Sequence, residues 1–238
     1  QAMIEEVNYL EDSLLVGMPF WGSPVGGGLF DTGPMTELMQ NGWPSVEQLE
    51  AFVAAQNKHA WSVSFHLYGP EEIVHATWAA LQRRFSEKIP GAAFQKEDLH
   101  NLPISDADIP ALPDKALLGI PNLEIFHIVA RNPMTDADQP DGHADMFTMT
   151  ERTAEALHTA ARTLAETYTD LGFPPATHPF TTPISFYSRA FCVAILVPTW
   201  RDPAKNAATR ALYEKCLDNI AEKGMGTYRT NPAFQDLA

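Results

Sequence analysis

The sequence predicts an α+β fold, a ferredoxin-like plait in which helices pack on one face of an antiparallel sheet. Three observations predict it. Strand-like and helix-like segments follow one another in the order strand, helix, strand, then strand, helix, strand, helix. The helical segments have apolar stripes at helical spacing and recognisable start and stop residues. The strand-like segments alternate in polarity or form short apolar runs, which suit a sheet covered on one face.

The beginning of the chain is the least informative part. Residues 14–30 begin apolar and become rich in glycine, so residues 1–42 are assigned only as an N-terminal lead-in and residues 43–238 as the domain. A helix is predicted from Val46, because Ser45 and Gln48 have the spacing of a capping box. Residues 61–67 alternate between apolar and polar side chains, which predicts a half-buried strand. Pro70 suits the start of the next helix, whose apolar stripe contains Val74, Trp78, Leu81 and Phe85.

The second half of the chain has clearer boundaries. Residues 99–121 contain several prolines and aspartates and are expected to form a surface loop. Strands are predicted at 123–130 and 145–149, with an acidic turn region at 132–143. A helix then runs to Leu171, where Gly172 is the stop. Residues 186–197 give the strongest strand pattern; Pro203 opens the last helix, Gly224 closes it, and residues 225–229 return as a short extended segment.

Composition excludes several classes of partner. Of the 238 residues 45% are hydrophobic and 19% charged, which is enough apolar material for a packed core. The net charge of −14 argues against nucleic acid or an anionic membrane surface as the main partner. No apolar stretch approaches the roughly 20 residues that span a bilayer. No secretory signal is visible either, so the expected location is cytoplasmic.

Three common kinds of site lack their motifs. The eight histidines form no HxH or HExxH array, and neither Cys192 nor Cys216 has a Cys or His at ligand spacing, so no metal is expected. The two cysteines are expected to be buried free thiols, with a disulfide between them as the alternative. No Gly-x-Ser-x-Gly elbow supports a serine hydrolase. The glycine-rich run at 22–33 has neither the strand–GxGxxG–helix order nor a P-loop lysine, so it predicts no phosphate site.

Tyr228 and Arg229 are the best candidates for chemistry. They follow the last helix side by side, where a guanidinium supplies a permanent charge with forked donors and a phenol supplies an O–H donor. Both groups can bind one anion. The alternative from local chemistry alone is a surface arginine beside a half-buried tyrosine, since structural pairs of this kind are common.

Residues 224–236, GMGTYRTNPAFQD, resemble the end of the cap domain in the vanillyl-alcohol oxidase and 4-cresol dehydrogenase (p-cresol methylhydroxylase flavoprotein) family of FAD-linked oxidases. Other segments match in the same order. Residues 61–69, WSVSFHLYG, resemble that family's Trp-Asn…Leu-Tyr-Gly strand, and residues 119–123, GIPNL, resemble its Gly-Val-Pro turn. The helix at 202–223 fits in length. The resemblance extends from about Trp43 to Ala238.

The resemblance implies a function for the Tyr–Arg pair. In that family the pair binds the phenolate oxygen of a para-substituted phenol, and a hydride then passes from the benzylic carbon to the flavin, which gives a p-quinone methide. Tyr228 and Arg229 are therefore the expected catalytic residues. The expected substrate-binding residues come from the 61–69 segment, where alternation places two of them on each face: Trp61, Phe65, His66 and Tyr68.

Two differences from the family's motifs concern the way in which the flavin is held. Ser64 stands where one branch has a tyrosine that carries the flavin, and residues 188–192, SRAFC, lack the histidine that carries it in the other branch. The acidic pocket residues of the family have no clear match. The resemblance thus implies FAD held without a covalent bond, mainly by a flavin-binding domain or subunit outside these residues. It also suggests a homodimer.

Two other functions stay open at this point. The chain could be a stand-alone α+β module that binds a small aromatic anion or a partner protein without redox chemistry. It could also be a dimeric α+β barrel monooxygenase or a structural domain, because the plait supports many functions. The first requires ligand binding without flavin, and the second requires activity or assembly without the Tyr–Arg pair.

Overall fold

The computed structural model describes residues 1–17, 19–22, 38–39, 42–57, 59–96, 100, 103–112, 115, 118–121, 142–173, 183–186 and 189–237. Its helices are α1 (Ala2–Asp12), α2 (Val46–Ala55), α3 (Glu71–Lys88), α4 (Ala154–Asp170) and α5 (Pro203–Glu222). Its strands are β1 (Phe20–Gly22), β2 (Ser62–Ser64), β3 (Gly142–Glu151), β4 (Pro183–Phe186), β5 (Ala190–Thr199) and β6 (Gly226–Thr227). Short 3-10 turns lie at Ile109–Ala111 and Pro232–Leu237.

The strands form one antiparallel sheet in the order β2-β1-β4-β5-β3-β6. The last four strands and two helices follow the chain order β3-α4-β4-β5-α5-β6, and in the sheet the first of these strands lies between the third and the fourth. That arrangement is the ferredoxin-like plait. The predicted fold class is confirmed, and the plait itself is built from the C-terminal half of the chain, with β1 and β2 extending the sheet beyond β4.

Helix boundaries follow local capping. The Ser45 hydroxyl accepts from the backbone N–H of Gln48, and the Gln48 side chain accepts from the backbone N–H of Ser45, so the predicted capping box is confirmed. Thr153 caps α4 through the N–H of Ala156, and Asp202 caps α5 through the N–H of Ala204. Each cap satisfies backbone donors that a helix start leaves without an intrahelical partner.

The core lies between the sheet and the helices. Along β3 the buried residues are Met146, Thr148 and Thr150, and along β5 they include Phe191, Val193, Ile195 and Val197. Because alternate residues of a strand face opposite sides, these residues share one face of the sheet. They cluster with the apolar faces of α4 and α5, which include Leu157, Leu164, Leu212, Tyr213 and Ile220.

Helix α1 belongs to the same core, although residues 1–42 gave no helical prediction. Ile4, Val7 and Leu10 are buried in the main apolar cluster. The side-chain carbonyl of Gln1 accepts from the backbone N–H of Ala154 at 3.0 Å, at the start of α4. The lead-in assigned from sequence thus supplies one helix and one strand of the described fold.

Two strand predictions differ from the structure. The predicted strand at 186–197 is wrong in its extent, because β4 ends at Phe186 and β5 begins at Ala190, so two antiparallel strands occupy this region. The apolar run contains neither glycine nor proline at that point to mark the reversal. The predicted strand at 61–67 is correct only for Ser62–Ser64. The strand predicted at 123–130 and most of the 22–33 glycine-rich run lie outside the described residues.

Candidate functional site

A helix stop and a strand pairing fix the start of the segment that carries the Tyr–Arg pair. Gly224 has a φ of 73°, and the backbone N–H of Met225 donates to the carbonyl of Ile220 at 3.1 Å, as in a Schellman stop. Gly226 and Thr227 of β6 then pair with Met149 and Thr148 of β3. The chain therefore leaves α5 at once along the edge of the sheet.

Tyr228 lies against β3. Its backbone N–H donates to the carbonyl of Phe147 at 2.9 Å, and the two rings meet edge to face with centroids 6.5 Å apart. The side chain of Tyr228 keeps 39% of its surface exposed. The backbone is thus fixed while part of the phenol ring stays accessible to a ligand.

Arg229 has an unusual backbone and an accessible charge. Its φ is 56°, in the left-handed region that residues with a side chain rarely adopt. Its side chain is exposed, and it makes no ion pair or hydrogen bond with another described residue. A guanidinium that is not neutralised by a carboxylate can serve an external anion.

The sheet offers an apolar surface beside Tyr228. Phe147 and Met149 alternate with the buried residues of β3, so they lie on the face away from α4 and α5. The register pairs Phe147 with Ala194 and Met149 with Cys192, which places these four side chains on that same face. Burial raises the pKa of the Cys192 thiol. Sequence reasoning missed this surface; the alternation along residues 145–151 was its only signal.

His143 and Asp145 occupy the same face further along β3. The Nε2 atom of His143 lies 3.4 Å from a carboxylate oxygen of Asp145. The other ring nitrogen of His143 is buried and has no hydrogen-bond partner among the described residues. The motif search did not find this pair, because a His-x-Asp spacing becomes a pair only in a strand, where i and i+2 share a face.

Two of the substrate-binding residues predicted from the 61–69 segment contact helices α3 and α4. Trp61 meets His158 of α4 edge to face at 6.4 Å, and burial lowers the pKa of that histidine. Phe65 meets Phe85 of α3 in the same way at 6.1 Å. Trp61 and Phe65 therefore pack against the core, as the alternation indicated.

His66 and Tyr68 are on the outside of this region. Their ring centroids are 6.4 Å apart, and Tyr68 is 67% exposed. Ser64, at the position expected for a covalent flavin link, is an exposed residue of β2 that pairs with Phe20.

The sheet keeps the two groups of predicted site residues apart. β2 and β6 are the outer strands of the described sheet, with β1, β4, β5 and β3 between them. At strand spacings near 4.8 Å these edges are roughly 24 Å apart. The structure brings Tyr228 together with Phe147. The substrate-binding roles of Trp61, Phe65, His66 and Tyr68 stay predictions.

A polar cleft lies next to the start of the Tyr–Arg segment. It is an open cavity of about 560 Å³ between the end of β3, the start of α4 and Lys223–Met225. Glu151 and Glu155 line it, and their carboxylates would repel the pyrophosphate of a dinucleotide cofactor. That FAD is held mainly by residues outside this chain stays a prediction from the resemblance.

Two further findings concern the described residues only. No group of three His, Cys, Asp or Glu side chains among them lies close enough to hold a metal ion. None of their helices combines the length and apolar character needed to cross a membrane.

Solved structures share this fold. The chain is similar to p-cresol methylhydroxylase with substrate bound, at a TM-score of 0.63 and 15% identity. It is also similar to 4-ethylphenol oxidase from Gulosibacter chungangensis in an isoeugenol complex, at a TM-score of 0.60 and 18% identity. Each match covers 98% of this chain and 43% of the other, so the chain spans less than half their length. The similarity confirms the cap-domain fold that the motifs predicted. No protein-family model and no curated protein matches the sequence.

Proposed function

We propose that this chain is the cap, or substrate, part of an FAD-dependent oxidoreductase that oxidises a para-substituted phenol. Tyr228 and Arg229 hold the phenolate oxygen in this proposal. One observation carries it: a permanent cation and a phenol O–H stand on a fixed turn beside an apolar sheet face, in a chain with this fold.

The proposed role of the pair is electrostatic. Ionising the phenol raises the electron density at its para carbon, which favours loss of a hydride from the benzylic position. A phenolate at neutral pH needs nearby positive charge and donors, and Arg229 and Tyr228 supply one of each. The phenol proton leaves to solvent or a base, the benzylic C–H bond breaks with its electron pair, and the remaining neutral species is a p-quinone methide.

The apolar face of β3 and β5 suits the aromatic ring of the substrate. Phe147, Met149 and Ala194 lie on it, and the ring of Phe147 contacts that of Tyr228. Burying an aromatic ring against such side chains is favourable by about 25 cal/mol for each Å² of apolar surface removed from water. The ring would thus lie on the sheet while its oxygen reaches the turn.

The hydride acceptor belongs to the partner of this chain. Bound FAD supplies the two-electron acceptor, held without a covalent bond by a flavin-binding domain or subunit. Ser64 offers no covalent anchor, and the carboxylates of the polar cleft oppose a pyrophosphate there. The substrate class and this partner are both part of the proposal.

The test uses the complete protein that contains these residues. Tyr228→Phe removes only the hydroxyl, and Arg229→Asn removes the charge while keeping a residue that tolerates a left-handed φ. We expect turnover of p-cresol to fall by about 10²-fold or more in each, the usual effect of losing one oxyanion donor. Arg162→Asn, at an exposed arginine paired with Glu166 on α4, is the matched control. Wild-type turnover in both site variants would refute the proposal.

A binding module without redox chemistry is the second candidate. It is favoured by the turn itself, because Tyr228 and Arg229 can bind an anion whether or not a flavin is present. It predicts that p-cresol raises the melting temperature of this chain with no flavin present, and that Arg229→Asn removes the effect. Turnover that depends on added FAD would favour the oxidoreductase over the binding module.

A further inference from the structure

Two threonines flank the Tyr–Arg pair and bond to each other. The hydroxyl oxygens of Thr227 and Thr230 are 2.7 Å apart, and the hydrogen bond between them is partly buried. It spans both Tyr228 and Arg229. The turn that carries the pair is therefore closed by side chains that immediately precede and follow it.

The backbone of Arg229 explains why such a closure is needed. Consecutive residues of an extended strand point to opposite faces of a sheet, so a Tyr–Arg pair continuing β6 could not serve one anion. The φ of 56° at Arg229 differs from the strand value by about half a turn, so strand alternation no longer fixes its side chain on the face opposite Tyr228. A left-handed residue with a side chain persists only where its surroundings hold it.

Two other contacts restrain the same segment. On one side Tyr228 is bonded to Phe147 through its backbone N–H. On the other side Phe234 stacks on Tyr213 of α5 with ring centroids 4.0 Å apart. The Thr227–Thr230 bond differs from these contacts because its two partners flank Tyr228 and Arg229 directly.

We propose that Thr227 and Thr230 are positioning residues for the anion site: their hydroxyl–hydroxyl bond holds Arg229 in the left-handed turn that lets its guanidinium and the Tyr228 O–H reach the same phenolate oxygen. This rests on the proposed function of the pair. Neither threonine contacts the substrate; each acts through the two residues between them.

The test measures p-cresol affinity across a pH series in the complete flavin-containing protein. Thr227→Val and Thr230→Val remove the bond, and Thr227→Ser and Thr230→Ser keep it. We expect each Val variant to bind about fivefold more weakly or worse, as for loss of one net hydrogen bond. The double Val variant should be no weaker than either single one, because both hydroxyls share that bond. Bound p-cresol should ionise at higher pH in the Val variants, and the Ser variants should behave as wild type.

Two controls separate this proposal from the one it rests on. Thr169→Val removes a threonine hydroxyl bond to the carbonyl of Ala165 on α4 and should leave affinity and pH profile unchanged. Wild-type binding in Tyr228→Phe and Arg229→Asn would refute the phenolate site itself. Loss of binding in those two variants with wild-type affinity and pH profile in the Val variants would overturn the positioning role alone, as would equal loss in the Ser and Val variants.

Discussion

Tyr213 and Phe234 lie face to face, with ring centroids 4.0 Å apart and 10° between their planes. Tyr213 is fully buried in α5, and its hydroxyl donates to the carbonyl of Asp145 on β3 at 3.2 Å. Phe234 lies only five residues after Arg229 in the chain. This stack therefore ties the far end of the Tyr–Arg segment to the helix from which the segment starts.

Removing the stack should loosen the turn as well as the core. We expect Phe234→Ala to lower the free energy of unfolding by about 3 kcal/mol, the lower end for a buried aromatic, and to weaken p-cresol binding. Phe234→Leu keeps most of the volume and should cost less than about 1.5 kcal/mol. Urea denaturation and calorimetry measure the two effects. Unchanged binding in Phe234→Ala would show that the turn does not need this anchor.

Arg152 is expected to be the arginine whose loss destabilises the fold most clearly. Its side chain is 2% exposed, pairs with Glu11 of α1 and lies over the ring of Phe191. Arg152→Met leaves a poorly solvated carboxylate without its cation, which costs about 3–5 kcal/mol in other buried pairs. The exposed Arg162, paired with Glu166, is the matched control, and Arg162→Met should cost about 0.5 kcal/mol or less. Equal unfolding free energies in the two variants at neutral pH would contradict this.

The loss of unfolding free energy caused by Arg152→Met should become smaller at acidic pH. Burial raises the pKa of Glu11 although Arg152 acts to lower it, so removing Arg152 raises the folded-state pKa further. A raised folded pKa means that the native state binds the proton more tightly than the unfolded chain. Stability is then gained as the pH falls through the folded pKa toward the ordinary value of 4.5. Unfolding at several pH values measures this, and a double Glu11→Gln, Arg152→Met variant should lose the pH-dependent part.

Substitutions of Trp61 and Tyr68 should show whether these residues near β2 stabilise the fold or bind the ligand. Trp61→Ala removes an aromatic that packs on His158 and should cost about 2–3 kcal/mol of stability, below the full cost of a buried one. Tyr68→Ala, at a largely exposed side chain, should change stability by about 0.5 kcal/mol or less. Because four strands separate them from Tyr228, we expect p-cresol affinity to survive in both. A weaker affinity in Tyr68→Ala would support the substrate-binding role predicted for that residue.

The two described cysteines should resist thiol reagents in the folded protein. Burial raises the pKa of Cys216 to about 12 and that of Cys192 in the same direction. Alkylation requires the thiolate, which is scarce and inaccessible in both positions. Peptide mass spectrometry after iodoacetamide treatment should find them unmodified when folded and modified in urea. Rapid labelling of Cys192 without denaturant would show that its thiol is accessible in the folded protein.

Sequence by itself determined the features that depend on near neighbours. The capping box at Ser45, the stop at Gly224 and the alternation of β3 are each set by residues within a few positions, because helix caps and strand faces are local geometry. The Tyr–Arg pair was found in the same way. Arg229 gave no sign of its left-handed φ, since that conformation is imposed by β3, the flanking threonines and Phe234.

Only the tertiary structure decided which strands are neighbours. Pairing joins segments far apart in the chain, so it depends on how the whole set of apolar faces is buried rather than on any local pattern. That pairing places β2 and β6 at opposite edges of the described sheet. It also brings Phe147 beside Tyr228 and recruits α1 into the core, neither of which a local pattern could show.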